Sequence, residues 1–166
     1  MNKNLYYEKM LDKLKYNFDI NRNEKIGNTE FEITAKSHIR NEKYIGFKSA
    51  VIYAFENNEY IYGKHFQKIT KDDIEDVVEI MKSSIDDIVE PNEEHMSTTF
   101  TALITVDEPV DEDLKNYIKK FKYQKSFLLG LKGWVVVRLV LVELHNQKVT
   151  GSKEAKKDEN FYIPNS

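Results

Sequence analysis

Gly133-Trp134-Val135-Val136-Val137-Arg138-Leu139-Val140-Leu141-Val142-Glu143-Leu144 is the hydrophobic centre of the chain. Of its last eleven residues only Arg138 and Glu143 are charged, and Val135 to Val137 are all β-branched. The run is too short to cross a bilayer, which takes about 20 apolar residues. Its branched composition favours a strand over a helix. Apolar residues at both parities require cover on both faces, so the stretch predicts a central strand with helices packed on the sheet.

Upstream, apolar residues at Tyr7, Leu11, Leu14 and Phe18 are spaced by three and four, which predicts an amphipathic helix over Leu5 to Phe18. Asn21-Arg22-Asn23 and Gly27-Asn28 mark a loop. Phe31, Ile33, Ala35 and Ile39 then alternate with polar residues, as in a half-buried strand. Asn41-Glu42-Lys43 turns the chain into a second strand, Tyr44 to Glu56, although Ala50 to Phe55 also suits the start of a helix. Glu56-Asn57-Asn58-Glu59 reads as a tight hairpin turn into a third strand, Tyr60 to Phe66.

Thr70 suits the N-cap of a helix running to about Glu90, with Asp72 and Asp73 at the positive end of its dipole. Ile74, Val77, Val78, Met81, Ile85 and Ile88 form its buried stripe, and Ile69 and Ile74 sit at staple positions. Phe100, Ala102, Ile104 and Val106 share one face of a fourth strand, Ser97 to Val106. Pro109 and Asp111 open another helix with Leu114, Tyr117, Ile118 and Phe121 buried, extending toward Phe127 and Leu128 before Gly130 or Gly133 stops it.

The fold class expected is α+β (mixed α/β), in the order α-β-β-β-α-β-α-β. It is a mixed sheet of about five strands with residues 133–144 central and the last two strands parallel. Residues 1–150 form one domain and 151–166 a polar C-terminal tail, whose Phe161-Tyr162-Ile163-Pro164 docks back on the body.

Helix, three strands, helix, strand resembles the core order of restriction-endonuclease-like nucleases. That resemblance implies an acid near the start of the second strand and an acid-x-Lys pair on the third, holding Mg²⁺. Here the second strand opens Ile45-Gly46-Phe47, and Lys64 has Tyr62 two positions before it, with Glu59 further back. The likeness covers the pattern of elements and not their residues, so it implies no more than a degenerate nuclease-like fold.

With 40% hydrophobic and 32% charged residues, the composition is that of a soluble folded domain. Cysteine is absent, which removes disulfides, thiolate ligands and thiol nucleophiles. The N-terminal residues lack the apolar stretch of a secretion signal, so a cytoplasmic location is expected. The net charge of −3 conceals a segregation: Lys71 to Asp113 holds fifteen acids against two lysines, whereas Leu114 to Val142 holds six lysines and Arg138 against no acid.

Three residues are candidates for ligand chemistry. Glu143 and His145 share a parity, and a carboxylate beside an imidazole suits an acid-base pair or half a metal site. The reading preferred for them is a strand leaving the core and turning polar at its end. Arg138 cannot shed its charge on a buried strand, so it meets a carboxylate from the acidic stretch, lies on a face left open to a partner chain, or forms the floor of an anion pocket. The acids from Asp107 to Asp113 lack the alternating ligands and glycine of a calcium loop and suit a helix dipole. Lysines 115 to 125 among aromatics resemble a nucleic-acid face, but the aromatics share the buried stripe and the acidic helix repels phosphate.

No cofactor or metal is implied. The expected function is a non-catalytic interaction or assembly domain, self-associating or binding a protein partner, with neither membrane nor nucleic acid as partner. The alternative is a small-molecule (anion) binding protein or enzyme with a site at Arg138, Glu143 and His145.

Overall fold

The computed structural model describes residues 1–44 and 51–164. In chain order the elements are α1 (Lys3–Leu14), β1 (Asp19–Ile26), β2 (Thr29–Tyr44), β3 (Val51–Phe66), α2 (Lys71–Ile88) and β4 (His95–Val106). They continue with α3 (Glu112–Lys120), β5 (Tyr123–Ser126), β6 (Trp134–Glu143), β7 (Lys148–Gly151) and α4 (Glu159–Tyr162). Among the described residues seven strands form one mixed sheet in the order β1-β2-β3-β4-β6-β5, with β7 also against β6. Among the described residues no helix is long and apolar enough to cross a membrane.

The class is the mixed α+β expected, with more strands. β4 and β6 are parallel neighbours, Arg138 facing Thr101 in register. β6 is flanked along its length by β4 on one edge and by β5 and then β7 on the other. The middle of the sheet, however, is β3 and β4.

The odd-numbered residues of β6 join one core layer. Val135, Val137, Leu139 and Leu141 pack with Phe100, Ala102 and Ile104 under α2 and α3. Val140 and Val142 face the other way, into a second cluster with Tyr6, Tyr7, Met10 and Leu14 of α1, and with Ala155 and Tyr162 near the C-terminus. α2 starts as its sequence requires: Thr70 and Asp73 form a reciprocal capping box, and Ile69 and Ile74 are buried on either side.

Several expectations are corrected. Asn21-Arg22-Asn23 is not loop but part of β1, and the hairpin turn is Gly27-Asn28 alone. Asn23 has φ of 51°, and opposite it the ladder skips from Phe31 to Ile33. Phe31 packs in the α2 layer while Ile33 and Ala35 face α1, splitting a set expected on one side. Ile39 is exposed.

Neither Asn41-Glu42-Lys43 nor Glu56-Asn57-Asn58-Glu59 turns the chain, for β2 and β3 run straight through them. Residues 56–59 are paired on both edges, and a register shift at Glu56/Asn57 absorbs the asparagines. Asn57 Oδ1 accepts from Ser97 at 2.7 Å, and Asn58 Oδ1 bonds His38 at 2.5 Å. Ile45 to Ala50, expected in the second strand, lie outside the described residues. The helix alternative for 50–55 gives way to strand from Val51. Along β3, Glu56 and Glu59 are followed two positions on by Asn58 and Ile61, so the nuclease acid-x-Lys pair is absent with the true boundaries also.

α3 stops at Lys120 rather than reaching Leu128, because Tyr123 to Ser126 pair with Trp134 to Val137 as a hairpin. The expected tail folds on the body. Ser152, Ala155 and Tyr162 are buried, and Leu139 N–H donates to the Ser152 hydroxyl at 3.0 Å.

Candidate functional site

Arg138 projects from the α1 side of β6 and is 6% exposed. Its Nε donates to Thr101 Oγ1 on β4 at 2.7 Å, one amino group to Asp158 at 2.5 Å, and the other to Glu59 at 2.5 Å. The Tyr162 hydroxyl lies 3.5 Å from the latter nitrogen. A carboxylate partner was expected from the acidic stretch between Lys71 and Asp113, and here the expectation fails. α2 and the start of α3 cover the odd-numbered face of β6, and Arg138 is even. Its acids come from β3 and from the turn before α4.

Burial works against the guanidinium's charge, but Tyr162, Glu59 and Asp158 together hold its pKa above the ordinary value. Burial also pushes the Glu59 carboxyl up, against the pull of Arg138, and the neighbouring Asp158 adds to the rise. Two acids therefore share one arginine.

Around this cluster lies an open cleft of about 230 Å³. Glu59, Ile61 and Arg138 form its floor, Phe18 one wall, and Asp158, Phe161 and Tyr162 the other. The second wall is fastened to α1: Lys13 donates to the carbonyls of Phe161 and Ile163 at 2.9 and 3.1 Å, and Tyr6 OH to that of Tyr162 at 3.1 Å. Glu59 and Asp158 were not singled out from sequence, being read as turn and tail. An acid between Asn58 and Tyr60, in a strand of aromatics, was the one available signal for Glu59.

Glu143 and His145 do not join this site. Glu143 is 2% exposed on the opposite face, 3.1 Å from Lys115 Nζ, and accepts from Val110 N–H at 3.1 Å. Burial opposes the charge of Lys115, but Glu143 and Glu112 raise its pKa overall. Glu143 is thus the buried anchor of the α3 start, while His145 is exposed in the turn after β6. Asp111 caps α3, accepting from Leu114 N–H at 2.7 Å. Among the described residues no group of three His, Asp or Glu side chains is arranged to hold a metal.

A second feature is the loop joining β5 to β6. Leu128, Leu129 and Leu131 are 63%, 102% and 83% exposed, and Trp134 beside them 38%. Leu128 and Leu129 hold φ of 45° and 56°, a left-handed conformation that costs a non-glycine residue about 1–2 kcal/mol. The loop is nevertheless closed by its own hydrogen bonds. Phe127 N–H donates to the Gly133 carbonyl at 3.0 Å, and Lys132 N–H to that of Phe127 at 3.2 Å. Buried His95 ties it to β4. Its Nδ1 meets the Lys132 carbonyl at 2.7 Å and so carries the proton, which leaves Nε2 to accept from Thr98 at 2.9 Å.

Gly133 has φ of 77°, and a Cβ there would lie 2.4 Å from the Met96 carbonyl oxygen. Gly133→Ala should therefore destabilise the chain by about 3 kcal/mol, combining positive-φ strain with overpacking against backbone. Thermal melts check this. A variant melting like the parent means the loop does not sit on β4 as described.

No curated protein and no solved structure matches this sequence. A family model described as a domain of unknown function, DUF8052, matches residues 2–164, and the chain belongs to that family.

Proposed function

We propose that this is a non-catalytic assembly domain, cytoplasmic, that associates with a second copy of itself through the β5–β6 loop and the adjoining Trp134. The observation carrying the reading is Leu129, fully exposed and held left-handed in a loop closed by backbone hydrogen bonds among Phe127, Leu128 and Gly130 to Gly133. Strain retained together with apolar exposure marks a surface shaped for contact, because each costs stability with no return in the isolated chain. The loop is preorganised, so little ordering entropy is lost on association. A two-fold contact places the same patch on both copies, and an apolar patch is complementary to itself where a charged one would be repelled.

The alternative of anion binding at Arg138, Glu143 and His145 finds no support in the geometry. Two carboxylates already engage the guanidinium, and the other two residues lie elsewhere.

Sedimentation velocity over a concentration series tests the assembly reading. The parent should form dimers, and Leu129→Asp, a surface change, should weaken them at least about tenfold without altering the melt. A parent monomeric at every concentration ends the reading. Dimers indifferent to Leu129→Asp assign the contact to another surface.

A further inference from the structure

The cleft beside Arg138 has chemistry that the assembly reading does not use. Arg138 engages Glu59 through Oε1 and Asp158 through Oδ2. Among the described residues, neither the second oxygen of Glu59 nor that of Asp158 has a hydrogen-bond partner. The lining holds two carboxylates against one guanidinium, an excess of one negative charge. Lys157 acts on Glu59 from outside the lining, and its side chain is exposed to solvent. Phe18, Phe161 and Tyr162 present rings to the same space, and Ile61 closes its floor.

We propose that this cleft binds a small organic ammonium ion, with an aryl or short alkyl stem, through Glu59 and Asp158. An anion would meet the excess acid and find the guanidinium occupied. A bare metal ion would lack a third acidic ligand. An ammonium group supplies three donors to the unshared oxygens, and aromatic faces within about 6 Å attract its charge. The apolar stem lies against Ile61 and the phenyl rings. Arg138 fixes both carboxylates in place beforehand, so little freedom is lost on binding. The volume, about 230 Å³, is below the roughly 300–1,000 Å³ of sites for drug-sized molecules and suits a ligand with a single ring.

The ligand bridges β3, which carries Glu59, and the C-terminal segment, which carries Asp158. Binding should therefore clamp that segment onto the body.

The test is an amide NMR titration of the full chain with benzylammonium, and separately with benzoate, which has the same ring and the opposite charge. Benzylammonium should cause saturable shifts confined to residues near 59–61, 138 and 152–162, and benzoate should not. Glu59→Gln and Asp158→Asn should each weaken binding by about tenfold or more, as loss of a charged hydrogen bond does. Phe161→Ala, at a half-exposed ring, should weaken it too and serves if the acid variants do not fold. Saturable benzoate binding, absence of any saturable shift, shifts elsewhere on the molecule, or affinity unchanged in the folded variants each overturns the proposal.

Discussion

Arg138→Met should lower the unfolding free energy by about 3 kcal/mol, the low end of the 3–5 kcal/mol typical when one partner of a buried ion pair is removed. The low end applies because the acids left behind are not sealed in: the side chains of Glu59 and Asp158 are 35% and 38% exposed and can draw water. What cannot rehydrate is Thr101, 0% exposed, whose hydroxyl loses the Nε donor. For a chain of this size the melting temperature should fall by roughly 6–12 °C, at 2–4 °C per kcal/mol. Adding Glu59→Gln should restore part of the loss, since it removes one of two acids left facing each other. Arg138→Lys should recover less than half, because an ammonium cannot reach Thr101, Asp158 and Glu59 in the geometry of the guanidinium fork. Urea unfolding of the four proteins gives the comparison. If Arg138→Met melts with the parent, the cluster carries no structural weight.

That Arg138 must be paired was legible in the sequence; its partners were not. Parity alone shows that Arg138 faces away from Val137 and Leu139. It does not show which helix covers which face, and the acidic helix covers the other one. The two acids are 79 and 20 residues away along the chain, contributed by a strand whose asparagines favour a turn and by a segment whose polar composition favours a tail. At Glu56 to Glu59 local preference and tertiary pairing compete: asparagine favours turns, but strands paired on both edges hold the backbone extended. The same competition ends α3. Nothing between Lys120 and Tyr123 breaks a helix, yet the edge of β6 captures Tyr123 to Ser126.

The C-terminal segment carries no apolar periodicity. It is held by lysines and a tyrosine of α1 bonding its carbonyls, contacts that leave no pattern in either stretch. The leucine loop was absorbed into an expected helix, although two glycines within Gly130 to Gly133 were turn chemistry in an apolar setting. α2 was read correctly because one short segment holds all its signals: cap, staple, acidic first turn and stripe.

α2 is also where a single change should do most damage. Met81→Asp should lower the unfolding free energy by more than about 5 kcal/mol. Met81 is 0% exposed, on the helix that packs over β4 and β6, and every buried neighbour in its cluster is hydrophobic. Losing its burial removes about 1.5–3 kcal/mol. A carboxyl in its place, in a cluster whose only polar side-chain atoms are tyrosine hydroxyls, costs several kcal/mol more even if it takes up a proton. The sum exceeds about 5 kcal/mol, against a total stability of roughly 5–15 kcal/mol for a domain. The effect is larger than at Arg138 because Met81 is 0% exposed, whereas the acids left by Arg138→Met are partly open to water. Met81→Leu, which conserves volume and polarity, should cost less than about 1.5 kcal/mol and separates loss of charge compatibility from loss of shape. Circular dichroism and urea titration of both variants provide the measurement. A Met81→Asp protein that unfolds cooperatively near the parent midpoint would mean that this face of α2 looks to solvent, and the sheet would then lack its cover on that side.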